Sequence, residues 1–203
     1  MIQLRGVFVA NITPFDSSGS VDWDGLRNHL HRLIMAGVHG LVPCGTTGEA
    51  PTLSRKEWCG IVQAACAAAR PHGLRVIAGC GSNNTAFVVE LTKLAGEMGA
   101  HAALVVTPYY NKPTTAGLLA HYRYVADRSP IPLVLYNVPS RTNICLQSET
   151  VVELLGHPNI IGIKEASGQY DLWLDLACEM DLKKNALLAG DDNAFATMLS
   201  LGG

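Results

Sequence analysis

The chain has 203 residues, of which 48 % are hydrophobic and 16 % charged, with a formal net charge of −2. That length allows one domain with a sizeable core, and the composition excludes a disordered polar chain. With no block of like charge, nothing in the sequence asks for nucleic acid or an anionic membrane. The longest apolar runs, such as 131–136, are far too short to span a bilayer, and Met1-Ile-Gln-Leu-Arg5 lacks the apolar core of a signal peptide.

Apolar strand-like runs alternate with helical patterns along the chain. Val7–Ile12 is the first strand, followed by the turn Thr13-Pro-Phe-Asp-Ser-Ser-Gly-Ser20. A helix then carries Leu26, Leu30, Leu33 and Ile34 on one stripe and stops at Gly37. Gly40–Cys44 is the second strand. Ser54 with Glu57 three residues on forms a capping box, and the helix behind it places Trp58, Ile61, Val62 and Ala65 on one face. Leu74–Cys80 is the third strand, and its helix shows Val88, Leu91, Leu94, Ala95 and Met98. Ala102–Thr107 is the fourth, followed by a helix through Leu118, Tyr122 and Val125. Pro132–Asn137 is the fifth, with a short helix around Val151–Leu155. The sixth runs through Ile160, Ile161 and Ile163 to Lys164, followed by a helix at Leu172, Leu176 and Met180. Ala186–Gly190 is the seventh, and 191–201 reads as helical.

Continuous apolar strands alternating with helices predict parallel strands joined by helical crossovers. Right-handed crossovers leave a doubly wound sheet or a barrel, and no glycine-rich dinucleotide fingerprint follows the first strand. An eight-fold barrel takes ~250 residues. The chain is therefore expected to be one barrel domain over residues 1–203, stopping at Leu201-Gly-Gly203 after its seventh unit. Strands one and seven would then be unpaired edges, a liability for association. The six cysteines form no Cys-x-x-Cys pair and no zinc spacing, and read as small buried thiols in a reducing cytosol.

In a barrel the chemistry lies at the C-terminal ends of the strands. Those positions here are Gly45-Thr-Thr-Gly-Glu49, Thr107-Pro-Tyr-Tyr-Asn-Lys-Pro113, Tyr136-Asn-Val-Pro-Ser-Arg-Thr142, Lys164-Glu-Ala166 and Gly190-Asp-Asp192. Each alone reads as an ordinary turn or rim. Together they offer hydroxyls, a phenol, a guanidinium and an amine around one mouth. Apolar surroundings pull a lysine down from its usual pKa of ~10.4, and the neutral amine forms Schiff bases with carbonyls. Paired threonines and backbone N–H groups can hold a small carboxylate. Tyr136 can move a proton beside the amine, and Arg141 can clamp a second carboxylate. No phosphate loop and no metal-ligand set is visible. The set suits a small keto acid held as an imine and attacking a second substrate.

These five motifs resemble the 4-hydroxy-tetrahydrodipicolinate synthase (dihydrodipicolinate synthase) family of pyruvate-dependent class I aldolases, in order and spacing from Gly6 to Gly203. The resemblance implies a (β/α)8 TIM barrel, here carried as far as its seventh unit. It implies that Lys164 forms the Schiff base with pyruvate. Tyr136 would relay protons, with Thr46 linking it to Tyr110, and Tyr110 would reach a neighbouring subunit's site. Thr47 would hold the pyruvate carboxylate, Arg141 would bind L-aspartate 4-semialdehyde, and Gly190 and Asp191 would line the site. The step would belong to diaminopimelate and lysine biosynthesis, in a cytoplasmic homotetramer built as a dimer of dimers, with no cofactor because the imine forms on the substrate. A sister pyruvate aldolase with another acceptor, or a truncated non-catalytic barrel, remain the alternatives. Asn83 and Tyr109 match the family's lysine-binding pocket. Lysine-inhibited members tend to carry histidine and glutamate where this chain has Trp58 and Phe87. Neither of these side chains can accept a bond from a lysine ammonium, so weak or absent lysine feedback is expected.

Overall fold

A computed structural model describes residues 2–203. Its elements are β1 (Phe8–Ala10), α1 (Trp23–Met35), β2 (Gly40–Val42), α2 (Arg55–Ala69), β3 (Arg75–Gly79), α3 (Thr85–Glu97), β4 (Ala102–Val106), α4 (Thr115–Ala126), β5 (Leu133–Asn137), the one-turn α5 (Pro139–Thr142), α6 (Ser148–Leu155), β6 (Ile160–Glu165), α7 (Tyr170–Glu179), β7 (Ala186–Ala189) and α8 (Phe195–Ser200). Strand order in the seven-stranded sheet equals chain order. A doubly wound sheet would reverse its order at a switch point, so this is the connectivity of a (β/α) barrel.

Several strands are shorter than their apolar runs. The run from Gly40 ends as a strand at Val42, because Cys44 takes a left-handed φ of 56° that a strand cannot contain. The 191–201 segment is a short 3-10 turn, Asp192–Ala194, before α8 rather than one continuous helix. The α5 turn was not legible as a helix, because Pro139-Ser-Arg-Thr142 has no apolar stripe.

The chain packs as two compact units. One comprises Leu4–Cys80 and Leu91–Ala103. In it β1 pairs with β2 and β2 with β3, all parallel, so that Gly40 faces both Phe8 and Arg75. The Asp22 side chain caps α1 by accepting from the Gly25 N–H at 2.9 Å. The capping box at Ser54 and Glu57 starts α2. The predicted α2 face is the buried one: Trp58, Ile61, Val62 and Ala65 join Leu26 and Leu30 of α1 in the core. Burying each large apolar side chain contributes about 1.5–3 kcal/mol.

The other unit is built from Gly81–Glu90 and Leu104–Gly203. There β5, β6 and β7 pair in parallel. Every residue of β5 is buried, as are five of the six in β6, Lys164 being the exception. Strands covered on both faces explain their unbroken apolar runs. Asn159, just before β6, donates to the carbonyls of Ala126 at 2.9 Å and Ser129 at 3.0 Å, which ties the strand's entry to the end of α4.

Candidate active site

The pairing of β5 with β6 decides the site. Leu133 is opposite Ile160, but Val134 is opposite Gly162, so the register advances by one residue at Ile161. The shift puts Tyr136 opposite Lys164 and Asn137 opposite Glu165. Without it Tyr136 would face Ile163, and Lys164 would lie beside Asn137. A one-residue slip turns every later side chain to the other face. The irregularity thus brings the phenol and the amine to one side of the sheet. Lys164 Nζ lies over the Tyr136 ring, 4.6 Å from its centroid.

Lys164 is half-buried, and burial lowers its pKa below the ordinary lysine value, while Asp191 and Asp192 oppose that drop. A larger fraction of the amine is therefore neutral, the form that attacks a carbonyl. The ring face favours a positive charge at the same nitrogen, including that of a protonated imine.

The end of β7 is fastened to β6. The Gly190 N–H donates to the Glu165 carbonyl at 2.7 Å, and a Cβ on Gly190 would lie 2.6 Å from Ala166 Cβ and 2.8 Å from the Glu165 oxygen. Only glycine allows that approach, and Asp191 and Asp192 follow it directly in the chain. Arg141 is exposed on α5, immediately beyond β5. The turn is braced by the Thr142 hydroxyl, which reaches the carbonyls of Val138 at 3.2 Å and Ile144 at 3.0 Å.

In the same unit, Tyr110 is 90 % exposed with a left-handed φ of 72°. Tyr109 and Asn83 are half-buried, and the Asn83 carbonyl accepts from the Asn111 side chain at 3.3 Å. Phe87 is partly exposed on α3. Thr46 and Thr47 belong to the first unit, where both are exposed in the turn after β2, and the Thr46 carbonyl accepts from the Glu49 N–H at 3.0 Å. Trp58 is 4 % exposed, and its indole N–H donates to the Gly79 carbonyl at 2.9 Å.

Sequence reasoning passed over Asn137 and Glu165. Both are fully buried, and the Asn137 amide donates to the Glu165 carboxyl at 2.7 Å. Each directly follows a predicted site residue, and a polar residue inside an otherwise apolar strand was the available signal. The cysteines are free thiols; burial pushes Cys66 up to about 11 and raises Cys44 and Cys80 well beyond the ordinary thiol range. Among the described residues no cluster of three or more His, Cys, Asp or Glu could hold a metal ion, and no helix is long and apolar enough to cross a membrane.

A model of the dihydrodipicolinate synthetase family matches residues 3–203. The chain is 48 % identical over 201 residues to the 4-hydroxy-tetrahydrodipicolinate synthase of Methanothrix thermoacetophila, covering 98 % of this chain and 67 % of that protein. It is 45 % identical over 206 residues to the enzyme of the same name from Methanospirillum hungatei, covering 99 % and 69 %. Among solved structures it is similar to the chloride-inhibited dihydrodipicolinate synthase of Acinetobacter baumannii complexed with pyruvate, with a TM-score of 0.95, 41 % identity, and coverage of 99 % of this chain and 68 % of that one. The dihydrodipicolinate synthase of Aquifex aeolicus matches with a TM-score of 0.94 and 38 % identity, over 98 % and 68 % of the two chains. The chain thus spans about two thirds of the length of these relatives.

Proposed function

The chain belongs to the dihydrodipicolinate synthetase family, and on that premise we propose that it carries the 4-hydroxy-tetrahydrodipicolinate synthase reaction, a Schiff-base lyase step of lysine and diaminopimelate biosynthesis, with Lys164 as the nucleophile. The observation that carries the assignment is the half-buried Lys164 amine held over the Tyr136 ring at 4.6 Å.

The Lys164 nitrogen adds to C2 of pyruvate, and water leaves to give the imine. Loss of a C3 proton gives the enamine. Its C3 attacks the aldehyde carbon of L-aspartate 4-semialdehyde, and the new carbon–carbon bond forms as the aldehyde oxygen takes a proton. The acceptor's own amine then displaces the Lys164 nitrogen from C2, which closes the ring and frees the lysine. Tyr136 moves the protons in these steps. Thr47 holds the pyruvate carboxylate, Arg141 clamps the carboxylate of the semialdehyde, and Gly190 and Asp191 line the site. Thr46 orients Tyr136 and links it to Tyr110. The exposure of Tyr110 suits a side chain that serves a neighbouring subunit, in a cytoplasmic homotetramer made of two dimers. The reaction needs no cofactor, because the pyruvate carbonyl is the electrophile and its imine is the electron sink. Asn83 and Tyr109 match positions of the family's lysine-binding pocket and form a candidate regulatory pocket.

The test is intact mass spectrometry after incubation with pyruvate and borohydride. One reduced pyruvate adduct is expected, and none in Lys164→Ala. An adduct that survives Lys164→Ala, or no adduct on folded protein, overturns the assignment. Turnover with another aldehyde but not with aspartate semialdehyde would make the chain a sister aldolase.

A further inference from the structure

Asn137 and Glu165 are neighbours in register on β5 and β6, one residue beyond Tyr136 and Lys164. Side chains alternate along a strand, so this pair points to the face opposite the phenol and the amine. It faces away from the reacting groups. Its connections run elsewhere. The Asn137 amide donates to one oxygen of the Glu165 carboxyl at 2.7 Å, and the Ser167 N–H donates to the other in a short bond. The Asn137 side-chain oxygen accepts from the Leu146 N–H at 2.9 Å, nine residues further along the chain. Longer contacts from the same amide reach the Leu146 carbonyl at 3.5 Å and Cys145 Sγ at 3.6 Å.

The segment between Asn137 and Leu146 contains α5, and Arg141 with it. The Thr142 bonds brace that segment internally, whereas the Asn137 side chain fastens its closing end to the sheet. Glu165 in turn fixes the Asn137 amide. The orientation of the amide is thereby set, with its nitrogen towards the carboxyl and its oxygen towards Leu146. Both side chains are 0 % exposed, so neither can exchange these partners for water.

We propose that Asn137 and Glu165 are positioning residues that lock the Arg141 loop to the strand carrying the Schiff-base lysine. The inference rests on the synthase reading above. In that reading Lys164 holds one reactant covalently and Arg141 holds the other through its carboxylate. The two reacting carbons meet only if those anchors keep a fixed relation, and small misplacements cost rate out of proportion to their size. The Asn137–Glu165 pair joins the two anchors by two hydrogen bonds, Asn137 to Glu165 and Leu146 to Asn137, on the face of the sheet opposite Tyr136 and Lys164.

The test compares the 203-residue chain with Asn137→Ala and Glu165→Gln in three measurements. The first is the rate of borohydride trapping at saturating pyruvate. The second is KM for L-aspartate 4-semialdehyde measured against kcat. The third is hydrogen exchange in the 143–147 peptide. For Asn137→Ala, trapping stays within about threefold of the parent, KM for the semialdehyde rises about tenfold or more, and 143–147 exchanges faster. Glu165→Gln keeps an acceptor oxygen for one of the two donors and gives smaller changes in the same direction. A general loss of fold would instead lower trapping and kcat together, and that pattern overturns the proposal. So does unchanged exchange at 143–147 in Asn137→Ala. If the parent chain traps no pyruvate, the synthase reading fails on that result, and exchange alone decides whether Asn137 holds the loop.

Discussion

Acid should destabilise this protein through one buried imidazole. His121 on α4 is 6 % exposed, with Nδ1 2.8 Å from the Thr85 hydroxyl and its ring edge-on to Tyr122. Its Nε2 is buried without a hydrogen-bond partner. Protonation would place a charge and a second N–H donor where nothing accepts them, so burial holds the pKa down from 6.5 to about 4. The unfolded chain binds this proton near 6.5 and the folded chain only near 4, so stability is full above about 6.5 and is lost as pH falls towards 4. A difference of 6.5 − 4, or 2.5 units, at about 1.36 kcal/mol each amounts to about 3 kcal/mol, with roughly half of it gone midway. Urea unfolding of the parent and of His121→Asn at neutral, mildly acid and pH 4 conditions isolates this contribution. Asparagine can still bond Thr85 but takes up no proton. Other acid-titrating groups act in both proteins and cancel in the difference. The parent should lose about 3 kcal/mol more than the variant by pH 4. Parallel stability–pH curves for the two proteins would refute the reasoning.

Two further outcomes follow from the geometry. Gly190→Ala places a Cβ 2.8 Å from the Glu165 carbonyl oxygen, a backbone atom that cannot swing away, and should cost about 1–3 kcal/mol in urea unfolding while slowing borohydride trapping of pyruvate; a variant of parental stability and trapping rate would show that the β6–β7 approach is dispensable. L-Lysine should inhibit only weakly, because the Trp58 indole N–H is spent on the Gly79 carbonyl and the residue offers an ammonium no acceptor; a micromolar inhibition constant would contradict this.

The sequence by itself determined the alternation of strands and helices, the buried face of α2, and Leu26 and Leu30 of the α1 stripe, whereas Leu33 and Ile34 on that stripe are only half-buried. It also determined the capping box at Ser54 and the set of polar residues at the strand ends. Each of these is written within a few residues: hydrophobic period, cap chemistry, or a polar break in an apolar run. The family likeness is of the same kind, since the motifs are contiguous. Only the tertiary structure decided which of those residues meet. Tyr136 and Lys164 are 28 positions apart, and their pairing depends on a one-residue shift at Ile161 that no local pattern announces. The same shift sends Asn137 and Glu165 together to the opposite face, where two polar residues become one buried hydrogen-bonded pair. The shortened second strand was likewise hidden, because the left-handed turn falls on Cys44, a residue without the glycine that usually marks such a backbone. Periodicity states which face a residue shares with its neighbours along the chain. Register between strands is set by packing and hydrogen bonding across the sheet, so it appears only once the strands are paired.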